Sequence, residues 1–149
     1  MTHLLPAAWP RPFTAALAAL FLLSAPVARA QAIDVRVDIS DQRMTVTHHG
    51  RMVANWPVST ARSGKVTPTG TFSPQVLKRR HYSSLYNNAP MPYSIFYSSN
   101  FVIHGTDQIK RLGRPASAGC VRLHPDHDCA LFAMVKAEGM GATRIRVQH

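Results

Sequence analysis

From Gln31 onward the chain alternates apolar and polar residues in short runs. Ile33, Val35, Val37 and Ile39 fall on one side and Asp34, Arg36 and Asp38 on the other, the period-two pattern of a half-buried strand. Ser40-Asp41-Gln42-Arg43 supplies turn chemistry before Met44 and Val46 resume the alternation. His48-His49-Gly50-Arg51 turns the chain again ahead of Met52, Val53, Trp56 and Val58. Together these segments predict a three-stranded meander. A Ser-, Thr-, Gly- and Pro-rich loop covers 59–70, with Thr67-Pro68-Thr69-Gly70 reading as a turn before Phe72. Residues 74–92 read as irregular and carry the basic cluster Lys78-Arg79-Arg80. Tyr93, Ile95 and Tyr97 alternate once more, and Phe101-Val102-Ile103 predicts a short buried strand ending at His104. After a polar, basic loop over 106–116, Asp126 and Asp128 mark the first turn of a helix, where carboxylates favour the dipole. Cys129, Leu131, Phe132 and Val135 supply its buried stripe, and it stops near Gly139 and Gly141. Thr143 to Val147 alternates again and closes the sheet. The pattern predicts one mostly β domain with one main helix.

The first thirty residues follow a different logic. Thr14 to Val27 is an apolar run too short to span a bilayer comfortably, and Ala28-Arg29-Ala30 has the small-x-small form of a cleavage site. Residues 1–30 are therefore expected to be a cleaved signal peptide, with a mature domain over 31–149 exported to the periplasm. No cysteine follows the apolar run, which argues against a lipoprotein, and no later stretch is apolar enough to cross a membrane. Loss of Arg11 and Arg29 with the leader lowers the formal charge from +10 to +8. Basic charge without a recognised nucleic-acid module is weak evidence for nucleic acid. For an exported protein the anionic cell envelope is the better counterpart. The two cysteines, Cys120 and Cys129, are an even pair in an oxidising compartment. A disulfide between them would silence Cys120, and Cys129 reads instead as a packed small hydrophobe.

The chemistry concentrates in Phe101-Val102-Ile103-His104-Gly105-Thr106 and Ser117-Ala118-Gly119-Cys120-Val121-Arg122-Leu123. A lone histidine after an apolar run is more often a packed core residue. Its weight rises because Cys120 follows after a loop able to fold back. A cysteine attacks as its thiolate, and a neighbouring imidazole is the usual activator. Small residues at Ser117, Ala118 and Gly119 let backbone N–H groups approach a developing oxyanion. The pairing reads as acyl transfer through a cysteine thioester.

These residues resemble the L,D-transpeptidase catalytic domain (YkuD-type), whose signature is a histidine, a loop, then Ser/Thr-x-Gly-Cys, an aliphatic residue and Arg or Asn. Val58-Ser59-Thr60, Thr67-Pro68-Thr69-Gly70-Thr71-Phe72 and Met91-Pro92-Tyr93 are similar to recurrent segments of the same domain. The resemblance implies a mostly β fold, a β-sandwich or barrel with one main helix after the cysteine, and a cell-wall acyltransferase without a cofactor, expected here as a monomer. Cys120 would attack a peptidoglycan tetrapeptide stem between its diamino acid and the terminal D-alanine, and His104 would be the general base. Gly105 would fix the imidazole through its carbonyl, replacing a triad carboxylate. Gly119 and Cys120 would supply oxyanion donors, with Ser117 in or beside that pocket. Arg122 would meet a stem carboxylate or brace the loop, and Tyr93 would border the donor site or pack in its strand. Many members carry histidine where this chain has Ala118, which places the base assignment on His104.

The acyl acceptor is left open: another stem, a D-amino acid, an envelope protein, or water in an L,D-carboxypeptidase. A catalytically silent peptidoglycan-binding module is the alternative of a different class. Sortases also use His, Cys and Arg in this order, but with wider spacing. Cys120, His124, His127 and Cys129 are crowded enough to raise a zinc site, yet His127 and Cys129 are poorly spaced for one helical face, and no metal is assigned.

Overall fold

The computed structural model describes residues 31–149. The expected signal peptide lies outside them. The meander forms as its pattern requires: β1 (Ile33–Asp38), β2 (Arg43–His48) and β3 (Arg51–Pro57) pair antiparallel in sequence order. Ile33, Val35 and Val37 of β1 and Met44 and Val46 of β2 are essentially inaccessible to solvent. On the opposite face Asp34 accepts bonds of 2.7 Å from both Arg144 and Arg146.

Two later strands enter this sheet. β4 (Gly70–Phe72) pairs antiparallel with β9 (Thr143–Gln148), and β9 runs parallel to β1. The order is β3-β2-β1-β9-β4, so β9 is an interior strand and β4 an edge, where the sequence pattern placed 143–147 as the closing strand. A second sheet has the order β5-β6-β7-β8. Its strands are β5 (Val76–Lys78), β6 (Ser94–Ser98), β7 (Phe101–Gly105) and β8 (Val121–Leu123). β5 falls inside the stretch read as irregular. It is an edge strand of three residues, too short to show a period.

The helix α1 (Pro125–Glu138) lies across β7. It begins with Pro at its first position and the His124 Nδ1 accepting from Asp126 N at 3.3 Å, and it ends at Gly139 with φ +94°. Leu131, Phe132 and Val135 join Ile95, Tyr97, Ile103, Val121 and Leu123 of the second sheet and the inner face of the first in one core. Burial of this apolar set supplies the main driving force for the fold. No helix among the described residues is long and apolar enough to cross a membrane.

β7 and β8 are parallel, so the chain between them must cross over. Residues 106–120 make that crossover as a loop, with one 3-10 turn at Ile109–Arg111. It returns Cys120 to the sheet beside the strand that carries His104.

Candidate active site

Register fixes the first relationship in the site. Ile103 pairs with Val121, His104 with Arg122 and Gly105 with Leu123. Alternation along a strand puts His104 and Arg122 on one face and the buried Ile103 and Val121 on the other. Cys120, one residue before Val121, falls on the His104 face as its diagonal neighbour. All three line a cleft of about 300 Å³, with Arg62, Thr106 and Gln108 along its wall. Cys120 also borders a smaller cavity of about 60 Å³ beneath the 81–91 segment.

His104 is only 7% exposed. Its Nδ1 lies 2.7 Å from the Gly105 carbonyl oxygen. A carbonyl only accepts, so Nδ1 carries the proton and Nε2 presents its lone pair. Burial lowers the His104 pKa to about 4, against the Gly105 hydrogen bond that raises it; the Arg122 charge lowers it further. The imidazole is neutral at neutral pH. The Cys120 thiol is half-buried and donates weakly toward Asn100 O at 4.0 Å. Burial pushes its pKa up, with the Val102 N–H and the Arg122 charge acting in the other direction. The resting pair is therefore a neutral imidazole and a thiol, suited to general-base removal of the proton during attack.

The turn before Cys120 is tied down on both sides. Ser117 is fully buried, and its Oγ accepts from Gly119 N at 3.0 Å. Its carbonyl accepts from Arg62 N at 3.0 Å and from the Arg62 guanidinium at 3.2 Å. Thr67 Oγ1 donates to Gly119 O at 2.8 Å. Gly119 adopts φ +138°, and a Cβ there would fall 2.7 Å from the Phe101 ring and 2.8 Å from Val66 O. Only glycine fits. Because the Gly119 N–H is committed to Ser117, it is not a free oxyanion donor.

A chain of polar contacts extends outward from this turn. Ala116 N and Ser117 N both donate to Thr60 O, and Thr60 N donates to Gln42 Oε1 at 2.9 Å. Gln42, only 3% exposed, closes the β1–β2 turn and ties the loop before Cys120 to the first sheet. Arg122 is braced by Gln108, whose Oε1 accepts at 3.0 Å. Tyr93 is placed elsewhere. With φ +52° its ring turns onto Phe132, centroids 5.6 Å apart, under Arg79. It lines a separate groove with Cys129 and Leu77.

The most unexpected neighbour is Asp128. It stands with Asp126 in the first turn of α1, as the sequence pattern predicts, but its side chain is fully buried behind Gly105. Neither carboxyl oxygen has a hydrogen-bond partner. Burial raises its pKa to about 8, which the nearby Gly105 N–H offsets only in part. The burial of Asp128 against Gly105, the bonds of Gln42 and Gln108 and the bond from Thr67 to Gly119 depend on pairings between distant segments, which no local pattern signals.

Both cysteines are free, and Cys129 is half-buried at the edge of the Tyr93 groove. Cys120, His124, His127 and Cys129 do not form a ligand cluster. Among the described residues, the one group of three with converging donor atoms is His48, His49 and Glu138, none of which lines the cleft.

A family model described as the L,D-transpeptidase catalytic domain matches residues 33–147. The YkuD protein of Bacillus subtilis (strain 168) is 26% identical over 113 residues, covering 73% of this chain and 63% of that protein. An L,D-transpeptidase from Mycobacterium tuberculosis H37Rv superposes with a TM-score of 0.72 at 21% identity, over 79% of this chain and 58% of the other. L,D-transpeptidase 3 from Mycobacterium tuberculosis, in complex with a faropenem-derived adduct, gives 0.69 at 20% identity, over 79% and 60%. This chain thus spans less than two thirds of the length of each of these relatives.

Proposed function

The chain belongs to the L,D-transpeptidase catalytic-domain family, and from that premise we propose that it is a peptidoglycan L,D-transpeptidase acting through a Cys120 thioester. The observation that carries the reading is the shared cleft of Cys120 and a neutral His104 whose Nε2 is free to accept a proton. Cys120 Sγ attacks the carbonyl between the diamino acid and the terminal D-alanine of a tetrapeptide stem. His104 Nε2 takes the thiol proton as the C–S bond forms, then delivers it to the departing D-alanine amine. In the second half an acceptor amine attacks the thioester, His104 receives its proton, and the thiolate leaves and is reprotonated.

Gly105 contributes its carbonyl, which holds the productive tautomer. With the Gly119 N–H committed to Ser117, the oxyanion donor assigned here is the N–H of Cys120 itself. Ser117 and Gly119 act by shaping the turn. Arg122 and Arg62 give the cleft a cationic wall for stem carboxylates. Export to the periplasm with removal of residues 1–30 brings this site to its polymer. A relative that carries a faropenem-derived adduct supports acylation of this type of site by a strained amide.

The test is muropeptide analysis after incubation with purified sacculi rich in tetrapeptide stems. Dimers joined between two diamino acid residues, absent with Cys120→Ser, are expected. Tripeptide stems without dimers would make the enzyme a carboxypeptidase. An unchanged profile would leave a binding module.

A further inference from the structure

The second cluster of interest lies outside the cleft, where the β2–β3 hairpin meets the end of α1. His48 is the last residue of β2 and Glu138 the last residue of α1. His48 Nε2 lies 2.8 Å and His49 Nε2 2.9 Å from the same Glu138 Oε1. Adjacent residues on a strand normally point to opposite faces. Here His49 adopts φ +46° and Gly50 φ +76°, and this turn brings the two rings to one side with centroids 4.4 Å apart. A two-residue loop of this kind favours Asn or Asp ahead of the glycine, so its geometry does not by itself call for an imidazole.

We propose that His48, His49 and Glu138 form a binding site for a divalent zinc ion that joins the β2–β3 hairpin to the end of α1. The three ligand atoms lie within 4.8 Å of one another. Zinc–ligand bonds of about 2.0–2.2 Å in a tetrahedron set donor atoms roughly 3.3 Å apart. The present spacings bracket that value, so small rotations of the side chains admit the ion. Two imidazoles and one carboxylate are a zinc-type donor set, with water in the fourth position. The side chains are 30%, 65% and 27% exposed, which gives the ion a path in and water a place to bind. The Glu138 carboxyl oxygen already faces both imidazoles, so the three donors point at a common centre. On binding, each Nε2 turns its lone pair to the metal, and any proton it held is released or moved to Nδ1. The site is independent of the transpeptidase reading, since none of its residues lines the cleft.

The experiment is calorimetric titration of zinc chloride into the untagged full chain bearing Cys120→Ser, which removes the one ligand-capable thiol in the cleft. Parallel titrations use His49→Asn, chosen because Asn-Gly suits the turn, and Glu138→Gln. One zinc per chain is expected, with a rise in melting temperature on the order of 10 °C at a hundredfold excess over Kd. Each substitution should weaken binding at least about tenfold while the metal-free melting temperature of His49→Asn stays close to the parent. If His49→Asn does not fold, Glu138→Gln alone decides. Absence of saturable binding, or binding unchanged by the substitutions, overturns the site; the cluster is then a hydrogen-bonded clasp.

Discussion

Asp128 makes a quantitative test of the environment behind His104. Its carboxyl has a folded-state pKa of about 8 against an ordinary 3.8. Between those values the folded chain keeps a proton that the unfolded chain releases, so stability falls as pH rises. The contribution is complete below pH 3.8 and is lost through pH 8. Each pH unit in that window is worth about 1.4 kcal/mol, so the interval from pH 5 to 8 carries roughly 4 kcal/mol as an upper value. His104 acts with the opposite sign. Its folded pKa near 4 lies below the ordinary 6.5, so its contribution grows as pH rises from 4 to 6.5. The two slopes oppose each other below pH 6.5, and the decline due to Asp128 emerges above it. Asp128→Asn removes one slope and leaves the other. Urea unfolding at pH 5, 6, 7 and 8 should show the variant gaining on the parent by roughly 2–4 kcal/mol across the series. A difference between the two proteins that stays constant with pH would refute a buried, protonated Asp128.

The proposed general-base role of His104 predicts a pH dependence for acylation. The second-order rate of acylation by a carbapenem should stay level from pH 8 to 5 and fall only as pH drops through about 4, where the imidazole becomes charged and cannot accept a proton. A limb near 6.5 would show an unburied base. Gly119→Ala should lower acylation at least about a hundredfold, read by stopped-flow, because its Cβ would strike Phe101 and Val66 O beside the nucleophile. His104→Ala should abolish turnover, and Ala118→His should change it by less than about tenfold. A large gain from Ala118→His, with His104→Ala unaffected, would move the base to position 118.

Much of this architecture is legible in the sequence because it is set by local patterns. β1 and β2 follow strict alternation, α1 has Asp126 and Asp128 in its first turn and stops at Gly139, and His104 follows the short apolar run Phe101-Val102-Ile103. What the sequence does not reveal depends on distant partners. β9 lies between β1 and β4 through pairings of residues about 110 and about 75 positions apart, and β5 is defined only by its bonds to β6. Asp128 has the sequence context of a dipole-stabilising residue, but the packing of α1 on β7 turns it inward against Gly105. The left-handed backbone of Tyr93 swings its ring away from the cleft, which no alternation rule anticipates. Gly119 has the sequence context of an oxyanion donor, but its N–H is bonded to the Ser117 hydroxyl in the folded turn.

The central claim is that Cys120 is an acyl-accepting nucleophile, and intact-mass measurement after exposure to a carbapenem tests it most directly. A single covalent adduct per chain is predicted, mapped to Cys120 by peptide sequencing and lost in Cys120→Ser. No adduct on the folded protein, or an adduct that persists in Cys120→Ser, would contradict it.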